Sequence, residues 1–239
     1  MKIILLYILV RKKYDANYQE PYPYTLGARR FHDSYCKFKP TLDHQLVVVE
    51  SGEKTEENTL FDDIATYEQY HGRGWDCGTY QAVARRMKCD LLVCFNTLSY
   101  LWRPGWLEPF VRAADKYGRG VYGPTASYQF FPHIRTPCIA FHPEVIEGYP
   151  LKVDSREDAS EFEHRQNNFS LWATKQGFPV KLVTEHEDLD QKHWRRPDNI
   201  FRRGDQSNCL VRDRHLDKYD AASPEHKKIL ERDADTLKI

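Results

Sequence analysis

No charge of either sign dominates this 239-residue chain: lysine plus arginine and aspartate plus glutamate each number 35, so the formal net charge is zero. A general nucleic-acid binder normally carries a basic excess, so its absence argues against that class and leaves only local basic pairs, Arg195-Arg196 and Arg202-Arg203, as anion sites. Long apolar runs are missing too. The run Ile3–Val10 is far shorter than the ~20 residues that span a bilayer, and Arg11-Lys12-Lys13 stand where a cleaved signal peptide needs small residues. We expect a soluble, cytoplasmic protein with no transmembrane segment, for which peripheral association with a membrane stays open. The six cysteines (36, 77, 89, 94, 138, 209) form no C-x-x-C pair and read as reduced, scattered core thiols. The signatures G-x-x-x-x-G-K-[ST], G-x-G-x-x-G, G-x-S-x-G and H-E-x-x-H are absent, which weakens NTPase, dinucleotide-binding, α/β-hydrolase and zincin readings.

What is present alternates strand and helix. Ile3–Val10 reads as a first, central strand buried on both faces, and Leu46–Val49 as a second that ends in Glu50-Ser51-Gly52. A polar, tyrosine-rich stretch separates them, and residues 53–63 read as an acidic loop. Tyr80, Val83, Ala84 and Met87 keep helical spacing and deliver the chain to a third apolar run, Leu91–Phe95. After Pro104-Gly105, the residues Leu107, Phe110, Val111 and Ala114 predict a helix that Gly118 closes. Further strands are expected in "RGVYGPTAS", "HIRTPCIAF" (followed by a short helix) and "FPVKLVTE". A helix is expected through "SEFEHRQNNFSLWATKQG", and a terminal helix opens with Ser223 and Pro224. This order predicts a single α/β domain, Rossmann-like, with a mostly parallel central sheet flanked by helices.

Three segments, taken in order, resemble a GT-A-fold glycosyltransferase of the family 2 kind, within a bacterial glycosyltransferase-like subgroup. "LVVVESG" is similar to the strand whose terminal acid contacts the donor nucleoside. "GTYQAVARRMKCDLLVCFNTLSYLWRPGWLEPF" is similar to the block that carries the Asp-x-Asp metal motif, and "EFEHRQNNFSLWATKQG" to the helix that supplies a catalytic base. The likeness spans roughly residues 3–215. It implies a nucleotide-sugar half at about 1–100, an acceptor half at about 101–215 and a helical tail at about 216–239. It also implies sugar transfer in polysaccharide biosynthesis from a nucleotide-diphosphate-sugar to a glycan or lipid-linked acceptor. The chain departs from the pattern at one point. The Asp-x-Asp slot falls on Asn96-Thr97-Leu98 or on Thr97-Leu98-Ser99, and neither register offers a carboxylate. Mn²⁺ or Mg²⁺ thus lacks its usual hard oxygen ligands there.

The resemblance assigns Glu50 to the donor nucleoside and Asn96, Thr97 and Ser99 to the floor beneath the diphosphate. In place of a metal, Arg202 and Arg203 supply guanidinium forks suited to phosphate oxygens. Glu163 is the candidate base, with His164 beside it to orient or replace it and Glu161 as the register alternative. Both acids are expected at the opening of their helix, where its dipole favours a carboxylate. His133 and Arg135 form a second candidate pair for acceptor or phosphate, and Trp102 joins them. In "EHEDLDQKHW" no spacing diagnoses a metal site. It reads as a solvated acidic loop, with His193 the weak metal candidate. Tyr14, Tyr18, Tyr22, Tyr24, Trp75, Trp102, Trp106 and Trp194 include candidates for a stacking platform, although core or rim packing is the ordinary use of each. Two other readings stand beside the transferase. One is a degenerate member of the fold that binds nucleotide, glycan or a partner enzyme without turnover; the other is an unrelated α/β hydrolase or nucleotidyltransferase.

Overall fold

The computed structural model describes residues 1–10, 24–51, 60–70 and 72–236, apart from the side chains of 24 and 25. Tyr14, Tyr18, Tyr22, Gly52 and most of the acidic loop lie outside these residues, as does the side chain of Tyr24. In chain order the elements are β1 (Ile3–Val10), α1 (Tyr24–Lys37), β2 (Gln45–Ser51), β3 (Thr66–Tyr70), α2 (Trp75–Ala84), β4 (Leu91–Phe95), β5 (Tyr100–Leu101) and α3 (Glu108–Tyr117). There follow β6 (Val121–Gly123), β7 (Ala126–Ser127), β8 (His133–Ile134), β9 (Cys138–Phe141), α4 (Pro143–Glu147), α5 (Arg156–His164) and α6 (Phe169–Lys175). The last are β10 (Val180–Val183), β11 (Asp188–Leu189), β12 (Val211–Arg212), α7 (Arg214–Asp220) and α8 (Pro224–Asp235).

The fold is α/β, with a mostly parallel central sheet flanked by helices. The main sheet runs β11-β10-β6-β9-β4-β1-β2-β3, and only β9 and β11 oppose the other strands. β1 is central, as its unbroken apolar run predicts, because a strand covered on both faces has no polar side to show. Its alternate residues serve two cores. Ile4, Leu6 and Ile8 pack with Tyr80 and Val83 of α2, Val145 of α4, Phe162 of α5 and Phe169 of α6. Ile3, Leu5, Tyr7 and Leu9 pack with Phe31 of α1 and Phe110 of α3. Each such side chain contributes about 1.5–3 kcal/mol on burial. All six cysteines are free thiols; four are buried as core residues, whereas Cys89 is partly buried and Cys36 is exposed. Ser223 caps α8, accepting from the backbone N–H of His226, and Gly118 (φ 77°) and Gly177 (φ 83°) follow α3 and α6.

Four sequence expectations need correction. The tyrosine-rich stretch holds α1, whose Ala28, Phe31 and Tyr35 recur at helical spacing under a polar composition. β3 was not foreseen because it is a polar edge strand with no apolar run. The single helix expected over Ser160–Gly177 is two helices, α5 and α6. Asn168 divides them: its Oδ1 accepts from the N–H of Leu171 at 2.9 Å while its amide donates to the carbonyl of Arg165 at 2.9 Å. "EHEDLDQKHW" is solvated only in part: Glu185, His186 and Asp190 are exposed, but Asp188–Leu189 form β11. Glu185 pairs with Arg103, Asp188 is buried against Arg112 at 2.7 Å, and Glu187 pairs with Arg196.

Candidate functional site

The site lies past the carboxyl end of β4, in the crevice where open α/β sheets bind ligands. Asn96 ends that strand with an Asx-type turn. Its Oδ1 accepts from the N–H of Leu98 at 3.1 Å and from Ser99 Oγ at 2.7 Å. Because β9 runs against β4, the residues just before β9 come to the same edge. Asn96 N–H donates to the Pro137 carbonyl at 3.0 Å, and Ser99 Oγ, whose one proton is shared between this carbonyl and Asn96 Oδ1, lies 2.6 Å from it. On the other side Tyr7 of β1 donates its hydroxyl to the Thr97 carbonyl at 2.8 Å. Helix α1 closes down on the same carbonyl at Gly27, where a Cβ would stand 2.6 Å from it; only glycine allows that approach. Thr97 is buried, and its hydroxyl has no partner among the described residues. Buried polar atoms are nearly always paired, so this hydroxyl is an exception within the strand end.

Two acids converge here. Asp76, which sequence analysis did not single out, stands in the first turn of α2, and the Asn96 side chain hydrogen-bonds to it. Burial, then the negative charge of Glu163, push Asp76 up to about 7 against the partial relief of Asn96 and Arg214. Glu163 is held by Thr136 Oγ1, which donates to Oε1 at 2.7 Å, and its Oε2 lies 3.7 Å from His164 Nδ1. Burial raises the Glu163 carboxyl, but His164, His133 and Thr136 together outweigh it and bring it down to about 2. Its side chain is 32 % exposed, so water reaches it. One acid is therefore fully ionised near neutrality while the other titrates there, the divergence that separates proton donors from acceptors in active sites. The helix-opening role expected for Glu161 and Glu163 does not hold, since both lie in the last two turns of α5, which Ser155 caps. What keeps Glu163 charged is its hydroxyl and imidazole neighbours. Glu161 turns outward to accept from the N–H of Asn167 at 2.7 Å, bracing the break before α6.

The histidines and cations sort by contact. His133 is buried, with Nδ1 2.8 Å from the Phe131 carbonyl, and burial lowers it to about 4, so it is neutral near pH 7. His164 stacks on Phe130 at 4.8 Å, and its Nε2 lies 3.1 Å from Ser160 Oγ. Arg135 is buried, paired with Asp213 at 2.7 Å beneath the Phe201 ring. Asp213 also caps α7 through the N–H groups of His215 and Leu216, which places Arg214 at the first helical position, within electrostatic reach of Asp76. Arg214, too, was not anticipated. Of the two arginines proposed for the diphosphate, Arg203 is committed to Asp235 and to the Arg195 carbonyl. Arg202 lies over Phe201, and its buried Nε has no partner among the described residues; burial and the charge of Arg135 lower its affinity for a proton.

The remaining candidates lie elsewhere. Glu50 is buried near the end of β2 and accepts from the Gln69 amide of β3. Trp102 follows β5, under the guanidinium of Arg212 at 4.5 Å. His193 is exposed on a short turn after β11, at the far edge of the sheet. Among the described residues no cluster of three His, Cys, Asp or Glu side chains can hold a metal ion. Asp76 and Glu163 offer two carboxylates, and Asn96 Oδ1 already accepts from Leu98 N–H and Ser99 Oγ. A separate open cavity of about 410 Å³ lies at the amino ends of β1–β3, where Arg86 pairs with Glu68.

Two signals in the sequence could have led to the missed residues. Asp76 follows a Gly-Arg-Gly-Trp break directly before an apolar helical pattern, the usual address of a first-turn acid, and Asp213 is an N-cap residue type directly before Arg214. No family model matches the chain, and no curated protein matches it. Among solved structures it is similar to Staphylococcus aureus TarS residues 1–349 in complex with UDP: 11 % identity, TM-score 0.46, 66 % of this chain and 53 % of that one. Mouse xyloside xylosyltransferase 1 is similar at 12 % identity and TM-score 0.45, over 75 % and 85 % of the two chains. Glucosyl-3-phosphoglycerate synthase from Mycobacterium tuberculosis, bound to Mn²⁺, UDP and phosphoglyceric acid, is similar at 10 % and 0.46, over 67 % and 64 %. The chain spans from about a third to about half the length of the TarS chains it matches.

Proposed function

We propose that this chain is a glycosyltransferase that moves a sugar from a nucleotide-diphosphate-sugar to a hydroxyl of a glycan or lipid-linked acceptor without a strand-end metal. The observation that carries this reading is the meeting of Asp76 and Glu163, in opposite protonation tendencies, with Arg214 and the neutral strand end Asn96–Ser99. Sugar transfer needs a base for the acceptor hydroxyl and positive charge for the departing diphosphate. Glu163, ionised and partly open to solvent, receives the proton. Arg214, with Arg202 behind it, meets the phosphate charge, and Thr97 offers its unpaired hydroxyl. Glu50, steadied by Gln69, contacts the nucleoside. Residues 1–239 act in this reading as one glycosyltransferase-like domain of the cytoplasm.

Calorimetry with UDP, GDP, CDP and dTDP and their sugars, with and without Mn²⁺, tests it. Expected is saturable binding of at least one nucleotide, unchanged by Mn²⁺. Glu163→Gln should keep donor affinity and lose about 10²–10⁴-fold in transfer. Failure to bind any of these nucleotides overturns the proposal. Nucleotide binding with no transfer or hydrolysis from any donor would favour the non-catalytic reading, which the missing Asp-x-Asp acids motivate.

A further inference from the structure

Trp75 breaks a local rule for no gain in packing. Its φ is 53°, in the left-handed region that bulky side chains avoid, and its side chain is 47 % exposed. The other tryptophans are spoken for. Trp106 and Trp194 are buried, donating to the Phe38 and Leu189 carbonyls at 3.0 and 3.1 Å. Trp172 packs between Tyr149 and Phe169, and Trp102 lies under Arg212. The strained turn is held from both sides. A Cβ on Gly74 or Gly78 would stand 2.1 or 2.6 Å from the Val153 carbonyl, and the Trp75 carbonyl accepts from Thr79 Oγ1 at 2.9 Å. Strain kept in place by surrounding structure is characteristic of functional positions.

Its location says what it serves. Trp75 directly precedes Asp76, which faces Asn96 and Glu163. Its ring reaches toward Arg156, whose guanidinium lies 5.6 Å from the ring centre. Arg156 opens α5 and Glu163 stands seven residues further along it, about 10 Å at 1.5 Å per residue. The indole therefore extends a strip that starts at the reacting acids and leads away along α5. Arg156 lies over one face of the indole, and a flat aromatic surface beside a charged group fits the apolar face and hydroxyl edge of a sugar ring. The donor base is the less suitable occupant. Glu50, the nucleoside candidate, alternates with Leu46 and Val48 on the α1–α3 face of the sheet, opposite α2 and α5.

We propose that Trp75 is the stacking platform of an acceptor subsite that takes a saccharide ring displaced along α5 from the reacting hydroxyl, so that the acceptor is an oligosaccharide chain rather than a bare lipid phosphate. This rests on the glycosyltransferase reading of the Asp76–Glu163 site. The test compares wild type, Trp75→Gly and Trp75→Phe on a printed array of oligosaccharides, and titrates each with UDP and GDP by calorimetry. Glycine suits the positive φ, so Trp75→Gly should fold, which circular dichroism and thermal melting check. Expected is glycan binding by wild type, at least a tenfold loss in Trp75→Gly, partial recovery in Trp75→Phe, and equal nucleotide affinity in all three. Equal glycan binding by Trp75→Gly, loss of nucleotide instead of glycan, or a wild type that binds nucleotide and no glycan overturns the proposal. Trp75-dependent glycan binding without nucleotide binding would sustain the platform and overturn the transferase.

Discussion

Asp76 is the residue at which stability and function pull most clearly apart, and Asp76→Asn exposes the conflict. In the folded protein the carboxyl rises from 3.8 to about 7, chiefly through burial and then through Glu163. An acid with a raised folded pKa is fully tolerated below its unfolded value. It costs stability progressively as pH climbs from 3.8 to about 7, and the cost is constant above that. At about 1.4 kcal/mol per pH unit the ceiling is about 4 kcal/mol. Partial exposure of the side chain brings this to about 1–2 kcal/mol through solvent screening. Asparagine keeps the shape of the protonated acid and cannot ionise. Urea denaturation of Asp76→Asn against wild type, from pH 4.5 to 8.5, should therefore show the variant more stable by about 1–2 kcal/mol at pH 8. The gap should close toward pH 4.5. His133 and His215, both lowered to about 4, destabilise either protein alike as pH falls below 6.5, so they cancel in the difference. Glu163 is ionised in both folded and unfolded states across most of this range. A variant less stable than wild type at pH 8, or a gap independent of pH, refutes the argument. Sugar transfer should fall in the same variant, as expected where a functional group is kept at a cost to stability.

Two further predictions concern the frame of the site. Arg135→Ala leaves Asp213 charged and buried without its partner and should cost about 3–5 kcal/mol in denaturant unfolding. Asp213→Ala should cost about 1 kcal/mol more, because it also removes the cap of α7; the reverse order of the two variants would refute the capping account. Gly27→Ala drives a methyl toward the Thr97 carbonyl, with 2.6 Å available. It should cost about 1–3 kcal/mol and weaken nucleotide binding by displacing α1 from the strand end, whereas unchanged affinity in calorimetry would separate α1 from the site.

The apolar runs Ile3–Val10, Leu46–Val49 and Leu91–Phe95 read as inner strands, since burial on both faces leaves a continuous apolar pattern, and all three are. Gly118 and Gly177 marked helix ends, and Ser223 with Pro224 a helix start, because caps are satisfied by neighbours in sequence. β3 left no such trace: an edge strand carries polar side chains that its partner, not its own pattern, holds in place. The break between α5 and α6 was written in Asn168 but masked by the continuing apolar spacing of Phe162, Phe169 and Ala173.

For the site, the sequence on its own determined the strand end at Asn96–Ser99 and the absence of acids there, because both follow from one local run of residues. It also brought forward Glu163, His164, His133 and Arg135 as residue types worth watching. Only the tertiary structure decided their company. The reversal of β9 carries Thr136 to Glu163, α2 brings Asp76 to Asn96, and Asp213 sets Arg214 at the start of α7. Arg203, adjacent in sequence to Arg202, is drawn away to Asp235. Protonation and charge compensation depend on distance through space and on burial, and neither is encoded in the spacing of residues along the chain.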